Sequence, residues 1–251
     1  MSKKTNRDNM TPEESRKLLG NNLSFAAAEA YKLLRTNLNF SIPGGNTGCK
    51  IIGVTSALRG EGKSTTSVNI AYTMAQSGGK VLLIEADMRL PTLSKRLRVQ
   101  SRPGLSNLLV GQCSGNEILQ RSGLIDNLWV VTAGSIPPNP AELLGSQQMA
   151  VTIKTMADFF DVIIIDLPPL TAVSDALIVS KLTNGMVLVV RQEYSDRGSV
   201  DEAVRQLRFV DAKILGFVMT GANTQRKGYY RRYGKAYGKS YGDYHQAAKN
   251  D

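Results

Sequence analysis

The stretch Ser56-Ala57-Leu58-Arg59-Gly60-Glu61-Gly62-Lys63-Ser64-Thr65-Thr66 constrains this chain more than any other. An apolar run, Ile51-Ile52-Gly53-Val54, leads into it, and a helical pattern with Val68, Ile70, Ala71 and Met74 follows. Strand, glycine-containing loop and helix in this order form a phosphate cradle. Backbone N–H groups of the loop point inward, and the helix N-terminus adds partial positive charge. In such a loop Gly60, Glu61, Gly62, Lys63, Ser64 and Thr65 surround the phosphates. Lys63 reaches the outer phosphates and the Ser64 hydroxyl meets Mg²⁺. Gly62 lets the backbone approach closely. The motif G-x-x-x-x-G-K-[ST] is kept except at its first glycine, which is Ala57 here.

The rest of the chain must supply a sheet for that loop. Apolar runs at 51–54, 81–84, 128–131, 162–165, 187–190 and 214–218 read as strands buried on both faces. Helical patterns lie between most of them, at 64–76, 147–159, 174–181 and 199–209. This alternation predicts an α/β fold of P-loop type, a mainly parallel sheet covered by helices on both faces. Trp129 falls inside a strand and reads as core. An earlier helix begins after Ser24, with Ala28, Tyr31, Leu34 and Leu38 at helical spacing. Three parts are expected: a loose arm over residues 1–22, a domain over 23–225 and a tail over 226–251.

Ligands of such sheets bind beyond the carboxyl ends of the strands, and two ends carry acids. Val81–Ile84 runs into Glu85-Ala86-Asp87-Met88-Arg89, and Val162–Ile165 into Asp166-Leu167-Pro168-Pro169. A hydrophobic strand ending in aspartate beside a phosphate loop holds the Mg²⁺ shell. Glu85 and Asp87 both face the site only if the strand ends or bends between them. The expected metal-facing set is therefore Ser64, Glu85, Asp87 and Asp166. Asp175 reads equally as a helix-opening structural acid, and the loop 134–140 as a turn or a pocket wall.

Of 251 residues, only one is histidine, His245, so histidine catalysis in the core is excluded. Cys49 and Cys113 lack metal-site spacing and suit a reducing compartment. No apolar run approaches the roughly 18 to 20 residues that span a bilayer. The N-terminal charges precede no apolar segment, so a cytoplasmic protein is expected. From Arg226 onward seven Lys/Arg stand against two Asp/Glu, half of the net charge of +10. Six of the nine tyrosines lie there: Tyr229, Tyr230, Tyr233, Tyr237, Tyr241 and Tyr244. Glycines follow three of them and there are no aliphatic partners, so the segment is expected to be disordered. Stacking on single-stranded nucleic acid, low-complexity adhesion and tyrosine phosphorylation all remain open for such a tail. Six phosphotyrosines would add roughly −9 to −12 charges and reverse its sign.

Taken together, these residues resemble the bacterial tyrosine kinases of capsular and exopolysaccharide synthesis, over about residues 24–244. Ala57–Thr65 is similar to that family's Walker A motif, Leu83–Arg89 to its Walker A′ and Ile163–Pro168 to its Walker B. The tyrosine-rich C-terminus is a further hallmark. The resemblance implies an ATP- and Mg²⁺-dependent protein tyrosine kinase that phosphorylates its own tail in trans within a ring of subunits. It implies a transmembrane polysaccharide chain-length adaptor as activator, recruitment to the inner face of the membrane, and a tyrosine phosphatase as antagonist. No specific nucleic acid is implied. In the family an E-x-x-R-x-x-R helix builds the ring, and Glu29, Lys32 and Arg35 match it with lysine in the middle. Glu85 stands where the family has aspartate. Leu58 stands where related partitioning ATPases have a signature lysine, which argues against that alternative, an ATPase switch. A weakly active nucleotide-binding scaffold is the other alternative. Tyrosine is only about 0.1% phenolate at neutral pH, so a carboxylate must take its proton. Glu85 or Asp87 is expected in that role, with Lys63 and Asp166 completing the catalytic set.

Overall fold

A computed structural model describes residues 19–42 and 48–222. Helix α1 spans Phe25–Ser41, β1 Lys50–Ser56, α2 Lys63–Gln76 and β2 Val81–Glu85. Three short helices follow, α3 (Leu93–Leu97), α4 (Leu105–Leu109) and α5 (Gly115–Ile118), then β3 (Gln120–Arg121) and β4 (Leu128–Val131). The rest is α6 (Pro140–Leu144), α7 (Gln147–Ala157), β5 (Val162–Asp166), α8 (Asp175–Ser180), β6 (Gly185–Arg191), α9 (Arg197–Phe209) and β7 (Ile214–Thr220).

The strands form one sheet in the order β3-β4-β2-β5-β1-β6-β7. All neighbours pair in parallel except β3, which runs antiparallel to β4. Alternation along each strand builds two cores. Ile52, Val54, Leu83, Ile164 and Val187 face Leu38 of α1, Ile70 and Met74 of α2, and Leu93 and Leu97 of α3. Leu82, Ile84, Ile163, Ile165 and Leu188 face Leu105 of α4, Met149 and Ile153 of α7, Val179 of α8 and Leu207 of α9. Both faces are thus covered, and all six expected strands are present within a residue or three. From β1 the chain passes over the β5 position to reach β2 and β4, then returns to β5 and crosses to β6 and β7. The topological switch lies at β1 and β5, where such sheets hold ligands.

Caps set the helix ends. Ser24 Oγ accepts the Ala27 amide at the start of α1, and Ser146 Oγ that of Met149 at α7. Asp196 Oδ1 accepts the Ser199 amide at 2.8 Å, so α9 opens two residues earlier than its apolar pattern suggests. The short helices and β3 carry too little periodicity to be read in advance. Trp129 packs against the core but is only partly buried, with the Arg121 guanidinium of the short edge strand 4.0 Å above its ring. The loop after Gly134 is tied to α4, where Ser106 Oγ donates to the Ser135 carbonyl at 2.6 Å.

The end of the segment expected to be a loose arm is packed. Leu19 is fully buried, and Gly20–Asn22 form a 3₁₀ turn against Tyr72, whose hydroxyl donates to Asn21. An apolar side chain at position 19 explains it, because Leu19 joins the buried cluster that α1 and α2 share. The compact unit that holds every described element ends at Thr220. The tyrosines at 229–244 lie outside the described residues.

Candidate active site

The loop between β1 and α2 has its expected cradle form. Gly60 and Gly62 take positive φ, 83° and 93°, where a side chain would be strained. Gly62 caps α2 without any side-chain acceptor, so the helix N-terminus is open to an anion. The loop is braced from outside. Arg191 Nη1 donates to the Gly60 carbonyl at 3.0 Å, Tyr194 Oη to Arg59 at 2.9 Å and Thr220 Oγ1 to Glu61 at 2.6 Å. Ala57, in place of the first glycine, is buried, and its carbonyl accepts both the amide and hydroxyl of Thr171. The Glu61 side chain turns away from the cradle. It is fully buried, accepts the Leu58 amide at 2.7 Å and receives a short bond from Ser195. Only its main chain is left to face a phosphate.

Three charged groups converge at the strand ends. Lys63 Nζ lies 2.8 Å from Asp87 Oδ2, 3.9 Å from Asp166 Oδ1 and 3.5 Å from Ser64 Oγ. Burial alone would lower the Lys63 ammonium, but Asp166, Asp87 and Glu85 outweigh it and hold it above the ordinary lysine value. Asp166 is fully buried and accepts Ser67 Oγ at 2.9 Å through Oδ1. Burial pushes its carboxyl upward against the pull of Lys63. Asp166 Oδ2 is buried with no hydrogen-bond partner among the described groups. An acceptor left unsatisfied there costs about 1–3 kcal/mol, and a hydrated Mg²⁺ would satisfy it. Ser64, Asp87 and Asp166 therefore fit Mg²⁺, which usually takes one or two carboxylates and keeps several waters.

Glu85 departs from the expected set. The strand β2 does end at Glu85, but Oε1 accepts the amides of Thr92 and Leu93, the latter at 2.7 Å, and Oε2 that of Ala133 at 3.2 Å. With both oxygens spent on backbone, Glu85 fastens α3 and the end of β4 rather than offering a free ligand. Burial pushes its pKa up to about 7 against those amides. Among the described residues no group of three or more His, Cys, Asp or Glu side chains closes on one point.

Two arginines gain roles that the sequence motifs did not assign, Arg89 at the end of the Walker A′-like stretch and Arg96 beyond it. Arg89 Nε and Nη2 grip Asp175 at 2.9 and 3.1 Å. Arg96 of α3 donates to Thr65 Oγ1 at 3.3 Å, and burial lowers its pKa despite Asp166 and Glu85. Their place beside the cradle depends on the path of the loop after β2, which no local pattern encodes. On α1, Lys32 pairs with Glu29 at 2.7 Å on the surface, whereas Arg35 turns inward to the Thr73 carbonyl at 2.9 Å.

Comparison with known proteins places this geometry. An AAA domain model matches residues 49–213. The tyrosine-protein kinase YwqD of Bacillus subtilis is 37% identical over 207 residues, covering 82% of this chain and 86% of that protein. The tyrosine-protein kinase CpsD of Streptococcus agalactiae is 37% identical and covers 82% and 90%. Among solved structures, the kinase domain of the Escherichia coli tyrosine kinase ETK aligns with a TM-score of 0.73 at 33% identity, covering 79% and 78%. The chimerical protein CapA2B2 aligns at 0.75 and 32%, covering 82% of this chain and 88% of that one. The septum site-determining protein MinD from Pyrococcus horikoshii, at 22% identity and 0.59, shares the fold. With a phosphate cradle, a paired lysine and two strand-end aspartates in one place, the chain belongs to the bacterial tyrosine-protein kinases of capsular and exopolysaccharide biosynthesis.

Proposed function

We propose that this chain uses ATP and Mg²⁺ to phosphorylate the tyrosines of its own C-terminal segment, each copy acting on a neighbour. The carrying observation is the convergence of Lys63, Asp87 and the half-unsatisfied Asp166 at the mouth of an anion-ready helix N-terminus. When bound, Mg²⁺ neutralises charge on the β- and γ-phosphates. Lys63 and the loop amides would hold the same oxygens in a preformed site. Ser64 and Asp166 would hold the metal. Asp87 Oδ2, now bonded to Lys63, is released when Lys63 turns to a phosphate, and becomes the acceptor for the tyrosine proton. The amide-bound Glu85 leaves that task to Asp87.

The outer face of α1 supports self-assembly. Phe25, Leu33 and Phe40 are 65%, 58% and 86% exposed there, on the same helix as the Glu29–Lys32 pair. A second copy would cover that face and so pair the chain with a neighbour. No helix among the described residues is long and apolar enough to cross a membrane. The family to which the chain belongs is the ground for reading a transmembrane adaptor as the partner that recruits and activates it.

Incubation with ATP and Mg²⁺, followed by phosphotyrosine mapping, tests the reading. Signal confined to Tyr229–Tyr244, absent from Lys63→Ala and from a chain cut at Arg226, is the expected result. Phosphorylation that survives Lys63→Ala overturns it.

A further inference from the structure

Asp175 is a buried carboxylate for which the chemistry above has no use. It opens α8, is 0% exposed, and gives each oxygen to the same guanidinium, Arg89. Burying a carboxylate is costly unless it is paired and hydrogen-bonded. A two-point arginine fork meets that cost and fixes orientation as well.

What the pair joins gives it meaning. Arg89 lies two residues beyond Asp87 in the loop after β2. Asp87 Oδ1 accepts the Leu90 amide at 3.1 Å, and the Ala86 amide donates to the Asp166 carbonyl at 2.8 Å. Asp175 lies at the far end of the segment that starts at Asp166. That segment is hooked to the phosphate loop, with the Leu170 amide on the Ser56 carbonyl at 2.9 Å and Thr171 Oγ1 on Ala57 at 2.6 Å. The Arg89–Asp175 fork therefore closes a circuit running from the phosphate loop through 168–175 to the Asp87 loop, and back through Lys63. Besides the fork, the loop is held by the Ala86 amide, the Lys63–Asp87 pair, the buried Met88 side chain and the Thr92 and Leu93 amides on Glu85, and the fork is its one side-chain tie to the 168–175 segment among the described bonds.

We propose that Asp175 is a positioning residue for phosphoryl transfer: through Arg89 it holds Asp87 in register with Lys63 and Asp166. This rests on the kinase reading of the site. Because the two partners bond each other and the loop they brace carries Asp87, the fork governs the chemical step and metal engagement rather than nucleotide capture.

The test uses the full chain. Asp175→Asn keeps the shape and removes the charge, and Arg89→Lys keeps the charge and removes the fork. Both are expected to lower kcat for tail phosphorylation by about 10-fold or more, as an ångström-scale misplacement does. The Mg²⁺ concentration for half-maximal rate should rise, while the Kd of a fluorescent ADP analogue measured in EDTA stays within about twofold. Thermal melts by circular dichroism correct each rate for the folded fraction, and Arg89→Lys decides the matter if Asp175→Asn does not fold. Unchanged kcat and Mg²⁺ dependence per folded molecule overturn the proposal, as does a loss of ADP affinity equal to the loss of rate. Lys63→Ala runs in parallel. If it is inactive while the fork variants are normal, the fork alone is wrong; if it stays active, the site itself is wrong.

Discussion

A carboxylate that spends its acceptors on backbone amides has a different task from one with a lone pair to spare. Glu85 and Asp166 sit side by side in the sheet, in register across β2 and β5. Asp166 keeps an unpartnered oxygen, whereas Glu85 keeps none. Strand parity and apolar runs made the acids' location legible in the sequence. Their roles were not legible, because Glu85 is claimed by amides of Thr92, Leu93 and Ala133, which the fold brings from 7 to 48 residues away. The same side chain carries a pH dependence. Its folded pKa of about 7 stands above the ordinary 4.5, so the folded state holds a proton that the unfolded chain has released. Stability from this group is complete below about pH 4.5 and is lost as pH rises toward 7, on the order of 3 kcal/mol in all. Urea denaturation across pH 4.5 to 7 should show that downward slope. Glu85→Gln should flatten it while losing some stability overall, since its amide nitrogen meets a donor at either Ala133 or Thr92.

At the level of elements, long apolar strands announced themselves and short polar helices did not. β1, β2 and β5 are buried on both faces and so read as continuous hydrophobic runs. α4 has five residues, and what starts it is contact rather than pattern: the Leu105 and Ser106 amides donate to the carbonyls of Thr132 and Ala133 at 2.8 and 2.9 Å. Gly104 permits that approach. A Cβ there would lie 2.4 Å from the Gly134 nitrogen and 2.5 Å from the Thr132 oxygen, both backbone atoms that cannot step aside. Gly104→Ala is therefore expected to cost about 1–3 kcal/mol, measured as a lower urea midpoint. Since Ala133 also binds Glu85, the damage should spread toward the β2 loop and appear as faster amide exchange at Thr92 and Leu93.

For the whole molecule, one crossover decides where chemistry can occur. Placing β5 between β1 and β2 sets the phosphate loop, Asp166 and Asp87 on three adjacent strand ends. The alternating pattern foretold a parallel sheet but not this order, which depends on contacts between distant strands. The described unit closes at Thr220, so a chain ending there should keep its fold and its affinity for an ADP analogue. It should lose phosphotyrosine on its own chain and still accept added tyrosine-tail peptide as substrate, as radiolabel transfer would reveal. The outer bracing of the phosphate loop has its own thermodynamic consequence. Arg191, Tyr194, Ser195 and Thr220 draw the loop's carbonyls and the Glu61 side chain outward, which leaves the amides turned in before any nucleotide arrives. Ordering a loop costs roughly 1–2 kcal/mol per residue, and here that entropy is surrendered when the protein folds. Nucleotide meets a finished mould, so calorimetry should register little of the ordering signature that marks coupled folding and binding.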